Sequence, residues 1–250
     1  FNAVIELIKN YLEILKLRCV RYILLASITY LTAHAAFCAN RMYFFTYNIG
    51  LSSRQITIVM LILTFASVAF LPAVLLCNKF MDKKFIYISG MGACAAIIIF
   101  LGITGISSFN TVCIFCIAYC IGSISYWQLI PSMIYDVCEV DQLINNTERS
   151  GTVISLQSLA ESFANAIGLQ LFGLFLALSG FNGSLKIQNE SALTYINCVF
   201  SVIPAIMMIV SIIFVFKYPL TKKMHNKVLN ALKKRNEGEE VDLLPFERLK

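Results

Sequence analysis

Charged side chains are scarce in this 250-residue sequence. Asp, Glu, Lys and Arg make up 14% of it, whereas a soluble globular domain carries roughly 25%. Apolar residue types make up 58%, and the mean hydropathy is +0.76. So few charges cannot cover that much apolar surface in water, and the composition therefore excludes a water-soluble domain.

Motifs of enzyme active sites are also missing. The apolar runs contain no HExxH, no GxSxG and no paired-carboxylate motif, so we predict that the protein is not an enzyme. Cys113, Cys116 and Cys120 have helical spacing, but no second cluster and no nearby histidine completes a metal site. In an apolar run, cysteine acts as a small hydrophobic residue, so we predict neither a metal nor another bound cofactor.

The apolar residues are gathered into six runs. A helix rises about 1.5 Å per residue, so roughly 20 apolar residues cross a hydrocarbon core about 30 Å thick. The runs do not alternate polar and apolar residues, as the strands of a membrane barrel would. The sequence therefore predicts an all-α membrane protein, a six-transmembrane-helix bundle over residues 22–217, with spans at about 22–47, 55–78, 85–105, 110–134, 151–180 and 193–216.

Basic residues lie almost entirely on one side of these runs. Of the 20 Lys and Arg residues, the opposite side holds only Arg54 and Lys186, while Arg41 lies within a run. Short loops rich in Lys and Arg stay in the cytoplasm, so we expect both termini to be cytoplasmic in a plasma membrane protein. The basic residues follow the ends of spans rather than forming one stripe, which argues against nucleic acid as a partner.

The two ends of the chain are polar or amphipathic. We expect residues 1–21 to form an interfacial helix or linker, and residues 218–250 to form a cytoplasmic tail with a short basic helix from Met224 to Arg235. The sequence begins with Phe1 rather than Met, and we expect a fragment in which residues 1–21 join two halves of a larger protein. The apolar positions that suggest the first helix are Val4, Leu7, Ile8, Tyr11 and Leu15.

Polar groups inside an apolar run are costly in lipid and mark candidate sites. His34 and Arg41 are two helical turns apart and share a face of the first span, which is followed by aromatic residues and suits a sugar or an anionic solute. Alternatively, Arg41 reaches the interface and the aromatic residues form an interfacial belt. Trp127, with Tyr126 and Gln128, has the groups that bind a sugar, an aromatic ring for stacking and an amide. Alternatively, Trp127 only packs against neighbouring helices.

The fifth span carries polar residues at helical spacing. Gln157, Glu161 and Asn165 lie four residues apart and share one face. A carboxylate about ten residues into the membrane must be protonated, paired with a cation or exposed to a wet cavity. For the paired alternative, Arg41 and His34 are the candidate partners of Glu161.

An acidic stretch interrupts the basic side of the bundle. Asp136, Glu139 and Asp141 fall within six residues, in a predicted loop that runs to Gly151 and contains Arg149. One interpretation is a solvated loop with helix caps. The other is an ion-pair cluster that forms a cytoplasmic gate, holding two bundles together in one conformation and releasing them in the other.

The same region carries a family resemblance. From Pro131 to Phe181 the sequence reads PSMIYDVCEVDQLINNTERSGTVISLQSLAESFANAIGLQLFGLFLALSGF, in which Asp136, Glu139 and Arg149 fall on the pattern D-x-x-D-Y-x-E followed by G-x-R-x-E-G. With YFFTYNIG near the end of the first span, this stretch resembles the glycoside–pentoside–hexuronide:cation symporters of the major facilitator superfamily, the melibiose permease-like proteins.

The resemblance implies that the chain corresponds to helices seven to twelve of a twelve-helix transporter. Its partners would be a sugar-like solute, the lipid bilayer and an N-terminal six-helix half, and its coupling ion would be Na⁺ or H⁺. Four positions depart from the family pattern: Val140 replaces Tyr, Gln142 and Ser150 replace Glu, and Glu161 replaces Lys. The reversed charge at Glu161 leaves the coupling ion open.

The sequence therefore favours one half of a secondary active transporter for cation-coupled uptake of a sugar, glycoside or uronide by alternating access. The alternatives are a transporter of a lipid-like cargo, and a non-transporting scaffold or receptor derived from a transporter. The residues expected to line the substrate site are His34, Arg41, Trp127, Gln157, Glu161 and Asn165.

Overall fold

The computed structural model describes residues 2–249, with side chains from residue 5 onward. This part of the chain contains six helices long and apolar enough to cross a membrane, which confirms the predicted all-α membrane bundle. Phe1 and Lys250, the outermost residues of the two predicted end segments, lie outside the described residues, and so does the side chain of Val4.

Nine α-helices follow one another along the described chain. Helices α2 to α6 each cross the bundle, and α7 and α8 together form the sixth crossing because the helix is interrupted at Ser201. The last residues of the first crossing, Phe44–Asn48, widen into a π-helical turn. The helices are α1 (Asn2–Ile14), α2 (Arg18–Tyr43), α3 (Ser53–Phe80), α4 (Lys83–Thr104), α5 (Phe109–Asn145), α6 (Ser150–Leu178), α7 (Glu190–Phe200), α8 (Val202–Lys217) and α9 (Lys222–Asn236).

Several helix starts are capped by the side chains that precede them. Ser52 and Ser108 each accept a hydrogen bond from a backbone N–H in the first turn of α3 and α5, within a capping box. The Asp82 carboxylate accepts from the backbone N–H of Lys84 at the start of α4. Asn146, in the left-handed region with φ of 52°, ends α5, and asparagine tolerates that conformation better than most residues.

Helices α2 and α5 each pack against several other helices of the bundle. Helix α2 packs along α6 and α8, α4 packs along α5 and α8, and α3 packs on the outer side of α5. Since successive helices run in opposite directions, one end of the bundle collects the starts of α2, α4 and α6 and the ends of α3, α5 and α8. We call it the basic end, because nearly all Lys and Arg residues lie there.

The fourth crossing is longer than predicted. Its predicted span ends at residue 134, but α5 continues to Asn145. The prediction that Asp136, Glu139 and Asp141 lie in a loop is therefore wrong, because all three occupy the last turns of α5. Charged residues occur here because the helix extends beyond its apolar run and packs against α9 and the start of α6. The hydropathy pattern alone does not predict this extension.

Both termini of the described chain lie at the basic end. Helix α1 ends at Ile14, and an extended residue, Leu17, separates it from α2, so the predicted helix over residues 1–21 is broken there. The tail does contain the predicted basic helix, α9. Beyond it the tail folds back, and Phe246 and Leu249 are buried, with the Leu249 carbonyl 3.8 Å from the Cys19 thiol.

Candidate functional site

A polar cleft opens between α2, α3 and α5. Its volume is about 230 Å³. Two of the predicted site residues, His34 and Arg41, line it together with hydroxyl, thiol and aromatic groups. The lining residues are His34, Phe37, Cys38, Arg41, Leu63, Thr64, Ser67, Tyr119, Cys120 and Ser123.

The His34 side chain contacts two tyrosines and a cysteine. Its Nδ1 lies 2.8 Å from the Tyr119 hydroxyl and 3.4 Å from the Tyr30 hydroxyl, and Nε2 lies 3.5 Å from the Cys38 sulfur. Both tyrosine rings also stack on the imidazole. These contacts fix the orientation of the imidazole at the wall of the cleft.

Arg41 lies two turns further along the same face of α2, as its spacing predicted. It is half-buried and forms no ion pair with any residue that the structure describes. A guanidinium is always charged and donates up to five hydrogen bonds. Arg41 can therefore supply donors to a solute in the cleft.

Trp127 lies on α5 beyond Tyr119, Cys120 and Ser123, and it does not line the cleft. Its ring meets His34 edge-on, with centroids 6.2 Å apart, and Tyr126 edge-on at 5.3 Å. Tyr126 in turn stacks on Tyr30 at 4.4 Å. Because Trp127 is 44% exposed, its ring has a free face on which a solute can stack.

Gln157 and Glu161 form a second polar group, on the face of α6 that meets α2. The Gln157 amide nitrogen donates to Ser27 Oγ at 3.0 Å and to Glu161 Oε1 at 2.9 Å. Gln157 is 6% exposed, whereas Glu161 is half-buried. Asn165, the third predicted residue of this face, is half-buried and forms no side-chain hydrogen bond within the described range.

The candidate pairing of Glu161 with Arg41 or His34 is wrong for this conformation. Glu161 forms no ion pair among residues 5–249, and its hydrogen-bond partner is Gln157 on its own helix. Arg41 lies near the end of the first crossing that is distant from α1, whereas Glu161 lies in the middle of α6. The two residues share a bundle but lie at different depths.

The predicted gate residues form two separate clusters at the basic end. In the first, Arg149 donates to both Asp141 oxygens, at 3.2 and 3.0 Å, and to Glu13 at 2.7 Å. Asn145 also donates to Asp141, which is 1% exposed. The Arg149 hydrogen bond lowers the pKa of Glu13 below its ordinary value, and Asp141 raises the pKa of Arg149.

The second cluster joins α5 to α4 and α9. The Lys83 ammonium donates to both Asp136 oxygens at 2.7 Å, while His225 hydrogen-bonds Glu139 and lies 3.6 Å from Asp136. Asp136, Glu139 and His225 offer three ligand atoms within 4.8 Å of one another. Because the Lys83 ammonium already neutralises Asp136, the arrangement favours an ion-pair network over a metal centre.

Sequence reasoning missed several residues of these sites. Ser27, Tyr30 and Tyr119 surround the predicted polar side chains, but hydroxyl groups are common in membrane helices and carry no distinctive pattern. Glu13 and His225 complete the two ion-pair clusters, and both lie in amphipathic segments outside the six spans. The sequence shows that Glu13 and His225 are ionisable, but it does not show which residues they pair with.

Comparison with known proteins adds the family. Residues 3–222 match the family described as MFS/sugar transport protein. An uncharacterized symporter of Synechocystis sp. is 28% identical over 211 residues, covering 80% of this chain and 38% of that protein. A lactose permease of Lactobacillus helveticus is 24% identical over 226 residues, covering 88% of this chain and 35% of that protein.

The chain thus spans little more than a third of the length of these curated relatives. Both relatives are named as transporters, which supports the prediction that the chain is not an enzyme. The matches also confirm the predicted resemblance to sugar symporters of the major facilitator superfamily. The protein is therefore a multi-pass membrane protein, and the chain belongs to the MFS/sugar transport protein family.

Proposed function

We propose that the chain is the C-terminal six-helix half of a secondary active transporter for a sugar, glycoside or uronide. A matching N-terminal half of the same protein would complete the solute pathway, and a cation gradient would drive uptake. The basic end would face the cytoplasm of a plasma membrane, because Lys and Arg concentrate there.

The cleft between α2, α3 and α5 is the observation that carries this proposal. Arg41 has donors to spare, while the Thr64 and Ser67 hydroxyls donate to carbonyls of their own helix and leave oxygen lone pairs free to accept. Trp127 adds an exposed aromatic face near the cleft. A polyhydroxylated solute binds through hydrogen-bond donors, hydrogen-bond acceptors and stacking on an aromatic ring. Arg41 can also bind an anionic group of the solute.

The two ion-pair clusters at the basic end support alternating access. They join α5 to α1, α4 and α9 at that end of the bundle. In a rocking mechanism such contacts form in one state and break in the other. Asp136, Glu139, Asp141 and Arg149 are therefore proposed as the gate, with Glu13, Lys83 and His225 as partners.

Uptake by the full-length protein in proteoliposomes tests the proposal. The solutes are radiolabelled lactose, melibiose, galactose, glucuronate and one lysophospholipid, each with an imposed H⁺ or Na⁺ gradient. We expect accumulation of at least one sugar or uronide. Arg41→Ala or Trp127→Ala should reduce uptake at low solute concentration by about tenfold, the equivalent of 1.4 kcal/mol of binding free energy.

Arg54→Ala, on the exposed first turn of α3, is the matched control and should transport normally. If only the lysophospholipid is taken up, the proposal of a sugar is wrong and the cargo is lipid-like. If no gradient drives any of these solutes and the variants match the wild type, a scaffold or receptor function should replace the transporter proposal.

A further inference from the structure

Glu161 is a carboxylate in the middle of a membrane-spanning helix. It lies eleven residues after the start of α6 at Ser150, which is about 17 Å along the helix axis. No Lys, Arg or His of the described chain forms an ion pair with it. An ionised carboxylate at this depth without a cation is costly.

The groups around Glu161 include two polar atoms that lack partners. Gln157 Oε1 and the Tyr126 hydroxyl are both buried and make no hydrogen bond within the described residues. The side chains of Ser27 and Glu161 lie close to that hydroxyl, and Ser27 is fully buried. A buried polar atom without a partner requires an explanation, and here two of them adjoin one carboxylate.

We propose that Glu161 is the binding site of the coupling ion in this half of the transporter, and that this ion is a proton. The inference rests on the proposed function for its role in coupling, whereas proton binding itself is independent of it. A proton from solvent adds to a carboxylate oxygen of Glu161, the side chain becomes neutral, and no other bond forms or breaks. The same proton leaves to the opposite side after the bundle rocks.

Hydrogen bonding at the site accommodates both protonation states. The ionised carboxylate accepts from the Gln157 amide, as in this conformation, and can also accept from the Tyr126 hydroxyl. The protonated carboxyl becomes a donor, and the unpartnered Tyr126 hydroxyl oxygen is then available to accept. Because the Gln157 amide directs its NH₂ group at Glu161, a metal ion at the same carboxylate would face a donor rather than a ligand.

A short chain of rings connects this site to the cleft. Tyr126 stacks on Tyr30 at 4.4 Å, and the Tyr30 hydroxyl lies 3.4 Å from Nδ1 of His34, which lines the cleft. Protonation of Glu161 changes what Tyr126 can donate or accept. The stacked rings then carry the change to the imidazole, which links proton binding to the shape of the solute site.

The titratable groups facing Glu161 from neighbouring helices are few. Helix α5 contributes Tyr126, and α2 contributes Tyr30 and, beyond it, His34. On α1 the nearest acid, Glu13, is paired with Arg149 at the basic end. Glu190, on the first turn of α7, is exposed at the opposite end of the bundle. Glu161 is therefore the one carboxylate at mid-depth among the described residues.

Infrared difference spectroscopy tests proton binding without a solute. The full-length protein in lipid is cycled between acidic and alkaline buffer, without and with sodium. We expect one component of the carboxyl C=O bands that appear on acidification to be lost in Glu161→Gln and kept in Glu190→Gln. If Glu161→Gln loses no component, or if the lost component responds to sodium but not to pH, the inference is overturned.

Transport in proteoliposomes then tests coupling. With radiolabelled lactose or glucuronate, an inward pH gradient of one unit supports at most about tenfold accumulation for one proton per solute. Glu161→Gln should lose this accumulation, and solute exchange at equal pH measures separately whether the variant still binds and moves solute. Accumulation that persists in the variant contradicts the proposed coupling.

The two failures are distinguishable. If the wild type neither exchanges nor accumulates any solute, the proposed transport function is wrong, and the infrared result alone then decides whether Glu161 binds a proton. If the wild type exchanges solute and the Glu161-dependent band is absent, the function stands and the proton site is wrong.

Discussion

At the residue scale, Asp141 is the most deeply buried acid of the described chain. It is 1% exposed and receives hydrogen bonds from Arg149 and Asn145. Taking a carboxylate out of water is costly, and a partner cation offsets that cost only when the geometry is good. The two-pronged contact with Arg149 meets this condition, because its fork matches the two carboxylate oxygens.

Arg149→Ala is expected to destabilise the protein by about 3–5 kcal/mol, because it leaves Asp141 buried and uncompensated. The free energy of unfolding in lipid–detergent micelles, from a denaturant titration, measures this. Adding Asp141→Asn in the Arg149→Ala background should recover most of the loss, since the buried charge is then gone. Equal losses in the single and double variants would contradict the assigned pairing, and Arg54→Ala is the neutral control.

Glu13 gives the same cluster a pH dependence. Its pKa is lowered by the Arg149 hydrogen bond, so its contribution to stability is present above the ordinary glutamate value of about 4.3 and is lost as pH falls through the lowered pKa. Acidification should therefore weaken the docking of α1 on α6. Glu13→Gln should weaken it at neutral pH as well and remove the acid dependence.

Electron paramagnetic resonance measures this docking through the dipolar coupling of spin labels at Tyr11 and Ser155, whose hydroxyls lie 3.0 Å apart. The labels are placed in a variant in which the native cysteines are replaced. The strongly coupled population should fall in acid for the Glu13-containing protein. It should not change with pH in the Glu13→Gln background, and an unchanged population in both proteins would refute the pH dependence.

At the scale of elements, the contact between α2 and α6 depends on a glycine. A Cβ at Gly168 would lie 2.3 Å from the Thr32 carbonyl oxygen and 2.9 Å from the Ala35 Cβ. The absence of a side chain lets the two backbones approach closely, as small residues do between membrane helices. On the same pair of helices, Gln157 of α6 donates to Ser27 of α2.

Gly168→Val should push α6 away from α2 and destabilise the bundle by about 1–3 kcal/mol, the usual cost of overpacking. Gly173→Val is the matched control, because it lies on the same helix and a Cβ there meets nothing within 4 Å. Denaturant titration compares the two variants. Similar losses for both would attribute the effect to helix propensity rather than to the contact.

At the scale of the whole molecule, the proposed direction of the bundle in the membrane rests on its charges. The two described termini lie at the basic end, and the loop that joins α6 to α7 lies at the other. Reporter fusions in a bacterial host test the orientation. A green fluorescent protein fused after residue 250 should fluoresce, and alkaline phosphatase fused there should be inactive.

The same reporters placed after Leu185, in the loop between α6 and α7, should give the reverse pattern. Phosphatase is active only outside the cytoplasm, and the fluorescent protein exported by the general secretory route does not mature. If the reporters at residue 250 behave like those at Leu185, the assignment of the basic end to the cytoplasm is wrong.

Hydropathy and charge were sufficient for the fold at low resolution. An apolar run of about 20 residues has no stable alternative to a helix in lipid, because each backbone amide must be satisfied within the segment. This local requirement determined the number of crossings and the face shared by His34 and Arg41. It did not determine that α5 continues to Asn145, since that extension is stabilised by contacts with α6 and α9 rather than by lipid.

The sequence by itself therefore determined the class of the protein, the six crossings and the candidate polar residues. Only the tertiary structure decided which of those residues meet. Arg149 pairs with Glu13 across 136 positions of the chain, and Gln157 reaches Ser27 across 130, and no local pattern encodes such distances. Glu161 meets Gln157 and Tyr126 rather than Arg41, because helix packing sets the depth and facing of each side chain.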